Sequence, residues 1–409
     1  MSHTFFETSK TLRLAQVNGV WEPATYASGA GRNDETGAGI SRSYSAGNLD
    51  PALPDEELAV HVCNDLPKPT VAGVKALVDA LAPLWKKFDV VSRTVGFRHK
   101  DHRFWVRRGT RTVSEQKDYY VLSAMGTLKD GSGKLRQFFA KLGLTNDWAL
   151  VEENFASVLE KELRESTVPA AAIEISKETD VVVANDAGGG VLFHEAIGHG
   201  LEQDLYPDGA FDAYEGKSPF KSFVEVYDDP TVPFAYGSYW FDHEGKPARK
   251  VALVKGRKIH ETLKSELVGG AASNGHGRRQ DWSCNPMVRM SVTYLGAGTS
   301  KPSEVIKSVK DGIYVEKIGG GQVNVKSGEF VFSASRARII KNGKLGARVA
   351  ELSLKGDGVS VLRDITMIAD DLDLSPLNLA THAGTCGKGQ SMEVSDTSPT
   401  FKTKMFVSA

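Results

Sequence analysis

From about residue 170 onward the sequence reads as strand after strand, and this does most to limit what the chain can fold into. Residues 172–175, 181–183, 224–227, 250–254, 292–295, 322–325, 329–333, 337–340 and 347–354 are all apolar or alternating runs of strand length. Ser327-Gly328 and Asn342-Gly343 are hairpin-type turns between some of them. Into this series the sequence inserts Gly188-Gly189-Gly190 and then a helix over residues 191–204. A shorter helix is expected over residues 359–368. A β-rich unit built around one prominent helix follows.

The first part of the chain is more mixed. Residues 8–48 read as short strands and turns, with Asn18-Gly19 a hairpin signal, 29–39 a glycine-rich loop and 51–57 a linker or turn. Val74, Leu77, Val78, Leu81, Leu84 and Trp85 follow the helical period, so residues 71–88 are expected to be a helix that Pro83 kinks or ends. Strands are expected through 90–128, with a turn at Asp130-Gly131, and helices over 135–142 and 148–163. The expected class is α+β. An N-terminal α/β sandwich-like domain would span residues 1–178, and a β-rich C-terminal domain carrying the 191–204 helix would span 179–409.

Composition narrows the function classes. Lys plus Arg total 50 against 51 Asp plus Glu, so no long-range field favours nucleic acid. No apolar run has spanning length, and the first sixteen residues have no apolar core of a secretory signal, which points to a cytoplasmic protein without a membrane segment. The three cysteines, Cys63, Cys284 and Cys386, are widely spaced and form no CxxC pair, which fits reduced thiols better than a disulfide framework.

The chemistry concentrates in His194-Glu195-Ala196-Ile197-Gly198-His199. Neutral imidazoles bind zinc, and a neighbouring glutamate can take a proton from activated water. In the familiar H-E-x-x-H pattern the histidines are four apart on one helix face. Here they are five apart, which on a regular helix separates them by about 140°. A π-turn would bring them to roughly 50°, so the helix is expected to be widened or broken near 196–200, with Gly198 easing the distortion. A catalytic zinc keeps three protein ligands and an open position. The third ligand has to come from elsewhere: Cys386, His382, His243, His276 and Cys284 are the candidates. Small neighbours surround Cys386, and Lys388 could favour its thiolate.

Five collinear segments resemble the TldD branch of the TldD/PmbA family of metallopeptidases. They are residues 192–202 (LFHEAIGHGLE), 274–279 (NGHGRR), 286–290 (PMVRM), 327–335 (SGEFVFSAS) and 385–390 (TCGKGQ). The resemblance covers roughly 183–400. It is loose in the N-terminal part, and residues 202–227 depart from the family's pattern. It implies that His194, His199 and Cys386 hold one zinc ion (Zn2+) per chain and that Glu195 is the general base. It also implies a peptide substrate, unfolded or extended, and a homodimer or a heterodimer with a TldD/PmbA paralogue that lacks the metal motif. A non-cleaving peptide-binding adaptor, or a zinc hydrolase of another amide, are the competing functions.

Other polar features have plainer readings. Gly188-Gly189-Gly190 lacks the Lys-Ser/Thr of a phosphate loop. Residues 98–103, a run of alternating charge, read as a solvated hairpin tip, and His276 as a loop histidine. Arg278, Arg279 and Arg289 could meet a peptide carboxylate or serve in structural pairing.

Overall fold

The computed structural model describes residues 3–22, 24–34, 58–62, 66–108, 111–266 and 273–409. The expected linker at 51–57 and Cys63 lie outside the described residues. The chain is α+β and rich in strand.

The first half is organised by long antiparallel strands. β1 (His3–Val17), β2 (Val20–Trp21), β3 (Thr25–Asp34), β4 (Leu58–Val62), β5 (Val90–Arg108), β6 (Arg111–Lys129) and β7 (Leu135–Thr145) form one sheet in the order β2-β1-β5-β6-β4. β3 pairs with β1, and β7 with β6. Asn18 and Gly19 turn β1 into β2 with φ of 46° and 89°, the left-handed pair that a two-residue hairpin requires. The expected helix at 71–88 is two helices, α1 (Val71–Asp79) and α2 (Ala82–Lys87), with Pro83 in the first turn of the second. α3 (Trp148–Ser166) sits on the sheet and buries Val151, Phe155, Leu159 and Leu163 against Tyr120, Leu122, Leu142 and Leu144.

Several local expectations give way here. Residues 135–142 are strand, not helix. Leu135, Phe138, Phe139 and Leu142 satisfy helical spacing, but Phe138, Ala140, Leu142 and Leu144 also satisfy a period of two. Pairing with β6 along the whole of β7 selects the strand. Residues 29–34 belong to β3 rather than to a loop. Residues 98–103 are no hairpin tip: they lie in the middle of β5, paired on both sides, and His102 is buried against Glu7 at 2.9 Å.

In the second half, residues 172–175 form no strand, and β8 (Ser176–Val183) takes their place. β8 lies between Asp311–Val323, which it pairs in parallel, and Phe401–Ser408. Leu352–Asp357 and Glu329–Lys341 follow, and Glu329–Lys341 pairs back onto Asp311–Val323. Five strands thereby close into a barrel-like ring, with Lys344–Val349 and Met367–Ile368 as additions. The expected 359–368 helix ends at Asp364. A second sheet runs in the order Lys258–Ile259, Val251–Lys255, Val226–Asp228, Val292–Leu295, Met392–Thr397, Ala383–Cys386. The helix that follows β8 is packed between ring and sheet. Its Leu192, Phe193, Ile197 and Leu201 share one core with Leu253, Met290 and Leu295 on one side and Phe332, Leu354 and Phe401 on the other. Among the described residues no helix is long and apolar enough to cross a membrane.

Candidate metal centre

The helix after β8 changes character along its length. Gly190–Leu192 is α, Phe193–Gly198 is π, and His199–Leu201 is 3-10. The His199 N–H donates to the His194 carbonyl, so the wide turn is closed between the two histidines themselves. The widening expected from the five-residue spacing is present, and it places the two rings 5.1 Å apart at 84°. Gly198 contributes in a different way from the one expected. Its φ and ψ of −58° and −49° are ordinary helical values, so no conformational freedom is used. A side chain there would overlap the Met290 sulfur, and one at Gly358 would overlap the Ala196 carbonyl. The distorted helix is thus held by close packing on both sides.

This helix brings three donors together. Ligand atoms of His194, His199 and Cys386 lie within 4.8 Å of one another, and all three residues are buried. Cys386 ends the edge strand Ala383–Cys386, and its Sγ is 3.2 Å from His199 Nε2. His199 Nδ1 donates to Glu202 Oε2 at 2.6 Å, which leaves Nε2 turned toward the thiol. Neither ring nitrogen of His194 makes a well-aligned hydrogen bond although both are buried, and the ring stands close enough to the Cys386 thiol to favour its thiolate. Glu195 stands beside them with Oε2 3.7 Å from His199 Nε2 and a side chain 29% exposed, so it is the member of the group that solvent reaches.

Electrostatics tie the donors to one another. Burial alone would raise the Cys386 thiol, but His194 and His199 bring it down to about 4. Burial alone would lower His199, but Glu202 and Cys386 raise it to about 10. Glu202 is fully buried, yet His199, Lys388 and Arg289 hold it down to about 2. A thiolate and two imidazoles, one with both nitrogens unspent, make a donor set that suits a borderline-soft divalent cation with one open position.

The remaining candidate ligands are occupied or apart. His276 is fully buried, contrary to its reading as a loop histidine. Its Nε2 meets Asp228 at 3.0 Å and its Nδ1 faces Asn274 at 3.2 Å. His243 Nδ1 accepts from the Arg279 N–H at 2.7 Å. Cys284 is half-buried, and burial with Asp281 nearby pushes its thiol up, away from the thiolate a metal needs. His382 borders a cavity of about 630 Å³ beside Lys141 and Gly188, outside the cluster. Lys388 does not touch the thiol as expected: its ammonium reaches Glu202 at 2.9 Å and Asp204 at 2.9 Å. Arg278 and Arg289 spend their donors on backbone carbonyls, Arg278 on Glu393 and Arg289 on Cys386 and Lys388.

Sequence reasoning missed Glu202 and Asp396 as members of the neighbourhood. Glu202 had a signal, since it follows His199 at the i+3 spacing that lets side chains meet on a helix. Asp396 had none. It lies in Met392–Thr397, and burial pushes its carboxyl up to about 7, opposed by His194 and Lys141 and reinforced by Glu195.

Comparison with known proteins agrees with the fold. The family model described as PmbA/TldA metallopeptidase C-terminal domain matches residues 176–408, more than half of the chain. A metalloprotease TldD homolog of Buchnera aphidicola (Acyrthosiphon pisum) is 40% identical over 227 residues, which are 54% of this chain and 46% of that protein. The Haemophilus influenzae TldD homolog is 35% identical over 272 residues, 64% of this chain and 55% of that one. The chain spans about half the length of these curated relatives. Among solved structures, TldE from Thermococcus kodakarensis superposes with a TM-score of 0.68 at 15% identity, covering 100% of this chain and 96% of that chain. A Thermotoga maritima protein gives 0.74 at 16% identity, with 100% and 96% covered. These two likenesses concern the fold. The family model, which covers more than half of the chain, is that of a metallopeptidase domain. The chain belongs to the PmbA/TldD metallopeptidase family.

Proposed function

We propose that the protein is a zinc-dependent peptidase that hydrolyses unfolded or extended peptides, with His194, His199 and Cys386 as zinc ligands and Glu195 as general base. The observation that carries this reading is the pair of buried, unspent nitrogens on His194 within reach of His199 and a depressed thiol. Relatives named as metalloproteases support it.

Bound zinc supplies Lewis acidity, which acidifies water toward neutral pH and polarises a carbonyl. The chain's own residues do the rest. Glu195, partly open to solvent, takes a proton from the attacking water at its carboxylate and delivers it to the leaving amine. Glu202 fixes the His199 tautomer by accepting from Nδ1, which reserves Nε2 for the metal. The buried surroundings of His194 and Cys386 exclude water from the donor side, so substrate approaches past Glu195.

The wider reading has three further parts. The chain works in the cytoplasm. It pairs with a second copy or with a paralogue, a partnership that the likeness to TldE supports. The boundary proposed at 178/179 falls inside β8, which starts at Ser176, so a division between the end of α3 at Ser166 and Ser176 accords better with the strand.

The test is metal content and peptide cleavage of chelator-free protein beside three variants. Zinc near one per chain is expected in the wild type and in Glu195→Ala, and is expected to be lost in His194→Ala and Cys386→Ala. Cleavage of an unstructured peptide should vanish in all three. A well-folded wild type without metal would overturn the reading in favour of a peptide-binding subunit.

A further inference from the structure

The segment that carries Cys386 is not fastened to the helix by the thiol alone. Lys388, two residues on, crosses to the helix end, where its Nζ lies 2.9 Å from Glu202 Oε2 and 2.9 Å from both Asp204 oxygens. Glu202 is the residue whose same oxygen receives the His199 Nδ1 proton at 2.6 Å. One ammonium therefore touches the carboxylate that aims one candidate ligand, while its own backbone belongs to the loop that presents another. From the opposite side, the fully buried Arg289 donates to the carbonyls of Cys386 at 2.7 Å and Lys388 at 3.2 Å. The loop is thus pinned at its start by Arg289 and at its tip by Lys388. Beyond the tip, the Gln390 N–H donates to the Lys388 carbonyl at 2.7 Å and its side chain joins Asn285 and Gln280, but none of these contacts reaches the helix; Gly387 has open space around it and Gly389 adopts φ +65°.

We propose that Lys388 is a positioning residue for the metal site, bridging Glu202 and Asp204 so that the Cys386 thiol and the His199 imidazole are held as a pair before metal arrives. The proposal rests on the reading of His194, His199 and Cys386 as ligands. Preorganisation of this kind acts on affinity: without the bridge, metal binding has to order the loop as well as fill the site. Outer partners of metal ligands typically change affinity about 10–100-fold.

The experiment measures zinc dissociation constants by competition with a chromophoric chelator on the full chain, for the wild type, Lys388→Met, Lys388→Gln and Lys388→Arg. Absorption of the cobalt-substituted proteins is recorded alongside. Lys388→Met should bind zinc about 10–100-fold more weakly. Its thiolate-to-cobalt band should lose intensity, because the sulfur no longer sits at a fixed distance. Lys388→Arg, which keeps charge and donors, should recover most of the affinity. Lys388→Gln covers the case in which the Met variant does not fold, and is expected between the two. Unchanged zinc affinity and an unchanged cobalt spectrum in folded Lys388→Met or Lys388→Gln would overturn the proposal, even with a lower melting temperature, and would leave the ligand assignment standing. A wild type that binds neither zinc nor cobalt would overturn the ligand assignment first, and the proposal with it.

Discussion

Of the buried histidines that have a carboxylate partner among the described residues, His276 and His199 have opposite prospects. His276 meets Asp228 at 3.0 Å; His199 meets Glu202 at 2.6 Å. Around His276 every polar atom is used. Asn274 faces the other ring nitrogen, and Asp228 also accepts from the Ser291 N–H and the Thr293 hydroxyl, so the cluster ties three segments into one closed network. Around His199 the network stays open. Its second nitrogen faces a thiol, the neighbouring His194 makes no well-aligned hydrogen bond from either nitrogen, and Glu202 Oε1 is buried without one. Burial and a carboxylate therefore do not mark a functional histidine. Unspent nitrogens beside other donors do, since a buried polar atom left unpaired costs about 1–3 kcal/mol that a bound ion recovers; His102 Nδ1 and His382 Nδ1 are also buried without a partner but stand outside the cluster.

The comparison breaks most sharply at His194. His194→Ala should reduce metal per chain to background, while in chelator the relief of two unsatisfied atoms offsets part of the cavity cost, so its metal-free stability should fall less than that of His276→Ala; metal analysis and urea unfolding in chelator check both halves. Next comes Glu195→Gln, which should keep its metal and lose about 10²–10⁴-fold in peptide hydrolysis. Retained turnover would remove Glu195 from the mechanism. On the closed side, His276→Ala leaves the buried Asp228 with Ser291 and Thr293 as its remaining partners and opens a cavity, for a loss of about 3–5 kcal/mol, with metal still bound by the folded fraction. Metal loss there at unchanged stability would erase the contrast. A smaller effect is expected at the helix packing: Gly198→Ala should cost about 1–3 kcal/mol by overlap with Met290, and Met290→Ala combined with it should recover part of that loss, a coupling that a double-mutant cycle reads.

A further contrast concerns pH. Glu393, opposite Thr385 in the strand pair that ends at Cys386, would be raised by burial, but Lys100 at 3.7 Å and Arg278 bring it from the ordinary 4.5 down to about 2. A depressed carboxyl stabilises the fold above its unfolded value and loses that contribution as pH falls. Glu393→Gln should therefore cost about 2 kcal/mol at neutral pH, a deficit that shrinks from pH 4.5 toward pH 2. A deficit independent of pH in urea titrations would mean that the side chain acts by shape and not by charge.

How much of this could be read from the sequence follows from how local each feature is. The His194–His199 spacing is local, and the π-turn follows from it. The Asn18-Gly19 and Asn342-Gly343 turns are local as well, and both pairs have positive φ. β7 was ambiguous because its apolar residues fit two periods, and only pairing with β6 decides between them. The charges of residues 98–103 were misleading for a related reason: β5 has neighbours on both sides, and its polar side chains find partners such as Glu7 and Asp118 from distant strands. Ring closure between Asp311–Val323 and Glu329–Lys341, and the seat of Cys386 beside His199, depend on register and on partners far along the chain. No local pattern encodes either. The resemblance named Cys386; residue chemistry alone left five candidates.

The ring also bears on the order of events during folding. β8 has Phe401–Ser408 along one edge, more than two hundred residues away in sequence, and the histidine helix follows β8 after the short turn of residues 184–189. Cys386 reaches His199 across a separation of 187 residues. Loop closure over such distances is slow, and it comes after local structure has formed. On the proposed ligand set, a chain that ends short of Cys386 offers an ion two imidazoles at most, and the third donor arrives only when Ala383–Cys386 takes its place at the edge of the second sheet. Capture of the ion would then be a late checkpoint, and a chain halted short of it would stay inert.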